Sequence, residues 1–311
     1  IMSLQEIGII IGITFMYATP LIYAAIGGVM SENTGVVNIG LEGIMSIGAL
    51  TAATVAHFSG SPWLAFLCGG LAGLILAIPH ALATIKFGAD HVVSGTAINF
   101  LGPGLALFLC RIFFDGGATS KPLTMDQKLP QLFKNTFAEG SFLKSVFNQY
   151  ATFYIALILV VVVYIILYNT KLGLRMRAVG EHPLAADTLG INVRKIKYFG
   201  VLSSGFLAGL GGASLSIAVV ANFRTTLVSG QGFIALAAMI FGNWKPQGAL
   251  MASLLFGLAQ GLAIHFGGGN TQIPSSVLSM LPYVLTLIIL VITSGKSRSP
   301  KANGLQYVKK N

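Results

Sequence analysis

The uncharged stretches of this chain are too long for a water-soluble domain to hide. No Asp, Glu, Lys or Arg occurs in 7–31, 43–85, 145–170, 198–223 or 246–295, and 91–110 and 225–244 are shorter runs of the same kind. An apolar helix needs roughly 20 residues to cross a bilayer, so 43–85 and 246–295 can each hold two crossings. Only 9% of the 311 residues are charged, against about 25% in soluble domains. The expected fold is an all-α polytopic membrane protein of about nine transmembrane helices (eight to ten), forming a single transmembrane domain over 1–311. The spans are expected near 7–29, 36–56, 62–85, 92–113, 149–168, 198–221, 230–243, 247–266 and 277–294. The first span has Glu6 rather than a basic flank and no clear cleavage site, so a secretory signal is not expected.

Charge placement orients these spans. The chain carries +10 net charge, and its basic residues concentrate in the segment 169–197 (Lys171, Arg175, Arg177, Arg194, Lys195, Lys197) and in the tail 295–311. Loops rich in Lys and Arg stay on the cytoplasmic side, so both are expected inside and 114–148, nearly balanced in charge, outside. Nine spans put the N-terminus outside; one re-entrant segment, with 230–243 short for a full crossing, would move it inside. Because the positive charge flanks spans, nucleic-acid binding is not expected. Within the basic segment Pro183 suits a first helical turn and Gly190 a C-terminal cap, a short helix that reads as a handle for a partner. Cys68 and Cys110 lie in apolar runs and imply neither a disulfide nor a metal site.

The chain also repeats itself. LAGL at 71–74 and 207–210 is followed at nearly the same distance by VSG at 93–95 and 228–230. Alternation runs the two LAGL spans in opposite senses, an inverted internal repeat of the kind from which transporters are built. The polar positions beside the two VSG turns are then expected to face each other near the bilayer centre. G-x-x-x-G pairs at Gly69–Gly73, Gly205–Gly209 and Gly257–Gly261 suggest close helix contacts, and Pro20, Pro79, Pro103, Pro274 and Pro282 suggest kinks or breaks.

No H-E-x-x-H, G-x-S-x-G or G-x-x-x-x-G-K-[ST] motif occurs, and the five histidines lack ligand spacing. No cofactor or metal is expected in the chain, and ATP, if used, must be bound by another subunit. Polar residues inside spans are therefore the candidate sites. Asn38 and Glu42 are spaced to share a helical face, and a carboxylate in a span usually faces a cavity or partner. Asn99 with Phe100, Gln231 with Phe233, and Gln260 offer hydrogen bonds and aromatic faces to a polar solute; each is equally readable as packing between helices.

VVNIGLEGIMSIGA (36–49), VSGTAINFLGPGL (93–105), LRMRAVGEHPLAADTLGINV (174–193) and GQGFIALAAMIFGNWKPQGAL (230–250) together resemble permeases of ATP-binding-cassette importers of the ribose and branched-chain amino acid type, especially the nucleoside-uptake branch. The resemblance covers about 20 to 295. It implies half of a translocation path for nucleosides, purine nucleosides in particular, in a multi-pass protein of a bacterial cell membrane. Its implied partners are a homologous permease in a heterodimer, cytoplasmic ATPase subunits holding ATP and Mg, and an extracytoplasmic solute-binding lipoprotein. It places a coupling helix on Glu181, His182, Pro183, Ala185, Ala186 and Gly190, although Glu181 precedes Ala185 by four residues rather than the family's three. A permease for a sugar or branched-chain amino acid, and an ion-coupled secondary transporter, are the alternatives.

Overall fold

In the computed structural model, which describes residues 3–267, 277, 278, 280–293 and 298–308, the apolar runs become helices whose starts are set mostly by capping side chains. Ser3 opens α1 (Leu4–Glu32) with a capping box shared with Glu6. Ser61 and Pro62 open α3 (Pro62–Ala81), which continues as a π turn over Leu82–Lys86. Asp90 accepts from the Val92 and Val93 N–H groups at the start of α4 (His91–Phe113). Such carboxylate, hydroxyl and amide caps satisfy donors that a helix start leaves free.

Two of the helices without such a cap begin after glycine. Both α2 (Leu41–Ser59) and, much later, α10 (Gln231–Phe241) follow a glycine, Gly40 and Gly230, with no side-chain cap from that residue. Between them come a short α5 (Phe142–Phe147), α6 (Ala151–Asn169), the polar α7 (Lys171–Glu181) and α8 (Pro183–Thr188), and α9 (Val193–Ser214), which extends through a π turn over Leu215–Val219. After α10 come α11 (Pro246–Gly267) and α12 (Leu281–Thr293).

Contacts fix the course of the chain. The start of α1 lies against α5, with Gly8 beside Phe142 and Gly12 beside Ser145. Its end, at Glu32, meets Asn303 of the tail, and the tail meets α7 through an Ala302–Gly180 backbone bond. One end of the bundle therefore holds α7, α8 and the tail, and is basic; the opposite end holds the start of α1 and the loop 114–148. Seven helices are long and apolar enough to cross alone. With the shorter apolar α10 and α12, the described residues fit the eight to ten helices expected, and the start of α1 lies at the end opposite the tail.

The interior is built on small residues. Along α3 and α9 Gly69 meets Gly209 and Ala213, while Gly73 meets Gly205, so the two LAGL helices pack antiparallel. A Cβ added at Gly73 would lie 2.4 Å from the Gly205 carbonyl oxygen, which is why this seam excludes larger side chains. α1, α2 and α9 are the most enclosed helices, and α4, α6 and α11 present apolar faces outward.

Three expectations are corrected. The span expected over 36–56 is helical only from Leu41; residues 33–40 run as turns and irregular chain, so Asn38 and Glu42 share no helical face. VSG at 93–95 is no turn but the first turn of α4. The helices continue through Pro20, Pro79 and Pro103; the real interruptions, 33–40 and 220–230, contain no proline. Pro274 lies outside the described residues, as do parts of the 277–294 span and of the 295–311 tail.

Candidate functional site

An interrupted span leaves backbone groups that a bilayer cannot solvate, and the partners they find define the centre of this molecule. In the first interruption, Ser31 Oγ donates to Val36 O at 2.7 Å and the Val37 N–H donates to His91 Nδ1 at 3.2 Å. His80 Nε2 donates to Val37 O at 3.1 Å, which leaves its Nδ1 to accept from Ser94 Oγ at 2.9 Å. Asn99 then clamps the first turn of α2: its Nδ2 donates to Ile39 O and its Oδ1 accepts from the Gly43 N–H, both at 2.9 Å. Asn38 is fully buried; its Nδ2 donates to Ser204 Oγ at 2.9 Å, while its Oδ1 has no hydrogen-bond partner.

At the second interruption the partner is charged. Gly230 and Gly232 donate their N–H groups to the two oxygens of Glu42, at 2.6 and 2.7 Å. Glu42 stands in the first turn of α2 and these amides begin α10, so one carboxylate serves two helix N-termini, both favourable to negative charge. Gly232 must be glycine here, because a Cβ would come within 2.5 Å of the Glu42 backbone.

Beyond this junction, toward the end opposite the tail, opens a cavity of about 470 Å³ between α1, the 220–230 segment, α10, α11 and α12. Tyr17, Arg224, Ser229, Gln231, Gln260 and Tyr283 give it its polar character. Among the described residues, Gln231 Oε1 and Gln260 Oε1 are buried without a hydrogen-bond partner. The loop 114–148 roofs this region: Ser120, Leu123 and Leu129 donate backbone N–H groups to Phe223, Ala221 and Ile217. Phe100 and Phe233, exposed at 79% and 50%, lie outside the cavity lining. The structure thus gathers Glu42 with the start of α10, puts Gln231 and Gln260 in one cavity, sets Asn99 on the far side of α2 and leaves the two phenylalanines outward.

At the basic end α7 lies along the bundle through buried Met176 and Val179, and its last turn packs so closely that a Cβ on Gly180 would meet Asn33 O at 2.4 Å. α8 follows with Pro183 in its first turn and buried Ala186 beneath it. Gly190, at φ +78°, closes it, with Gly190 and Ile191 N–H groups returning to Asp187 and Ala186. Glu181, His182 and Ala185 are exposed on this rim. Tyr307 of the tail sits over it, and burial together with the Asp187 carboxylate raises its phenol above the ordinary value.

The sequence reading missed His80, His91, Ser204, Glu32 and Trp244. The histidines were weighed as metal ligands and found badly spaced; their partners are backbone groups in the 33–40 interruption. Trp244 Nε1 donates to Glu32 Oε2 at 2.5 Å across 212 positions, a pairing with no local signal.

A bundle of this topology, with interrupted helices meeting at a charged centre and a polar cavity beside it, is that of a membrane permease. The family model for the permease component of the branched-chain amino acid transport system matches residues 10–292, and the chain belongs to that family. It is 45% identical to the nucleoside ABC transporter permease protein NupC of Lactococcus lactis, covering 97% of each chain. It is 43% identical to the guanosine ABC transporter permease protein NupQ of Bacillus subtilis, covering 98% of each. A second L. lactis protein, the nucleoside ABC transporter permease protein NupB, is 26% identical over 95% of this chain and 83% of its own.

Proposed function

We propose that this chain is one of two permease subunits of an ATP-driven nucleoside importer, with purine nucleosides as its solutes. The observation that carries this reading is the meeting of two amide side chains, Gln231 and Gln260, with aromatic Tyr17 and Tyr283 in the lining of one cavity. Amide side chains match the donor and acceptor edges of nucleobases, and aromatic rings offer them stacking faces. Full-length similarity to permeases named for nucleosides and guanosine supports the same solute class.

The basic end is the cytoplasmic face in this reading, and the C-terminus lies there. α8 is the coupling helix, carried by Pro183, Ala185, Ala186 and Gly190 with Glu181 and His182 on its rim. ATP and Mg are held by separate ATPase subunits. The second permease is a homologue, as NupB stands beside NupC in one organism, and a solute-binding lipoprotein delivers the nucleoside at the 114–148 end. ATPase closure displaces α8 and shifts the bundle between outward and inward states, a shift limited by the ATPases' differential interaction with the two.

Competition of labelled adenosine or guanosine uptake by nucleosides, ribose and leucine, in a deletion strain complemented with this chain, tests the assignment. Nucleosides alone should compete. Competition by ribose or leucine instead would replace the solute class.

A further inference from the structure

The basic end carries a second pattern that the cavity does not use. Residues 298–308 cross it as a segment with a turn over 301–304, bonding in succession to nearly every element that ends there. The Arg298 N–H donates to Asn243 Oδ1 at 2.9 Å, in the turn between α10 and α11. Ala302 and Gly304 N–H groups donate to Gly180 O and Gly35 O, at 2.8 and 3.3 Å. Leu305 O accepts from buried Lys197 Nζ at 3.4 Å on α9, and Gln306 Nε2 donates to Gly88 O between α3 and α4. Leu305 and Tyr307 then form one wall of a 680 Å³ groove whose other wall is Pro183, Leu184 and Ala185 of α8.

At the middle of this segment lies a node. Glu32 is 4% exposed, and its Oε2 accepts from both Asn303 Nδ2, at 2.7 Å, and Trp244 Nε1, at 2.5 Å. Asn33 Nδ2 adds a bond to Trp244 O at 3.1 Å. Asn243 and Trp244 are both held in the left-handed region, at φ 58° and 54°, a conformation a tryptophan keeps only when its surroundings impose it. The half-helix α10 is thus gripped by a carboxylate at each end: Glu32 through Trp244 at the basic end, and Glu42 at the bundle centre.

We propose that segment 298–308 is a strap that positions α8 relative to α10, with Asn303 and Glu32 as its positioning residues, so that displacement of α8 by the ATPase reaches the α10 half-helix. The proposal rests on the reading of α8 as the ATPase-docking helix. α8 itself is a single short helix with one buried side chain, Ala186. The strap touches both its groove and the turn that ends α10.

The assembled transporter, in liposomes with its binding protein, is assayed for uptake and ATP hydrolysis in parallel, and for ATPase co-purification. Asn303→Ala should leave the ATPases bound and lower uptake per ATP about tenfold, the ratio set by one hydrogen bond to a charged group. Glu32→Ala should do the same, and Glu32→Gln, whose amide oxygen can still accept from both donors, should restore coupling. Unchanged uptake per ATP in Asn303→Ala and Glu32→Ala overturns the proposal; if Asn303→Ala fails to assemble, equal coupling in Glu32→Ala and Glu32→Gln overturns it. Leu184→Glu separates the underlying reading: it should release the ATPases, and if it docks and couples normally the docking role of α8 fails and the strap with it.

Discussion

The two interrupted spans solve one problem by different means. The start of α2 is held by neutral groups, with Asn99, His80 and His91 supplying donors and acceptors to residues 37–43. The start of α10 is held by a single charged side chain among the described residues, Glu42, through Gly230 and Gly232. A neutral clamp of several side chains fails gradually, because each bond is worth about 0.5–1.5 kcal/mol net. A single carboxylate concentrates the holding in one residue, and its bonds are the stronger kind. The α2 side is therefore expected to be the fixed member of the pair and the α10 side the member that transport moves.

The sharpest way to break this comparison is Glu42→Ala, which strands two buried amides at about 1–3 kcal/mol each. Uptake should fall below detection, and thermal unfolding in detergent should drop. Next come the paired changes Gly232→Ala and Gly43→Ala. The added Cβ meets the Glu42 N at 2.4 Å in the first and Ile98 O at 2.2 Å in the second. Each should cost about 1–3 kcal/mol of overpacking. The comparison holds if Gly232→Ala loses more uptake than stability, and Gly43→Ala loses both equally. Asn99→Leu removes two neutral bonds and should cost about 2 kcal/mol, read as a lower melting temperature with the surviving protein still transporting. The smallest structural effect belongs to Gln260→Leu. Its oxygen has no partner among the described residues, so stability should hold or rise while nucleoside uptake falls about tenfold for a lost solute bond.

Much of the scaffold was legible because membrane spans advertise themselves by composition. The basic bias over 171–197 predicted which elements share an end, and Pro183 and Gly190 bounded α8 to within a residue or two. The two LAGL segments predicted helices of opposite sense, which α3 and α9 are. The break between 221 and 230 was expected, but the first interruption was not legible. Residues 36–56 read as one apolar span, and nothing local marks where helix gives way to turns, because the stabilising partners sit on α3 and α4. The same holds for the charged junction: Glu42 stood out as a costly carboxylate, but its acceptance of bonds 188 and 190 positions away is a product of topology. Asn99 read either as a solute contact or as packing between helices, and both ends of its amide are engaged by backbone of the neighbouring α2 start.

Neither 33–40 nor 220–230 contains proline, and this absence has a mechanical meaning. A proline would forbid rewinding, since it removes an amide donor and clashes with the preceding turn. Here the uncoiled state is kept by local turn bonds together with partners borrowed from other helices, and no proline stands in the way of coiling. Extending either neighbouring helix into these stretches would require only that their present hydrogen bonds be exchanged.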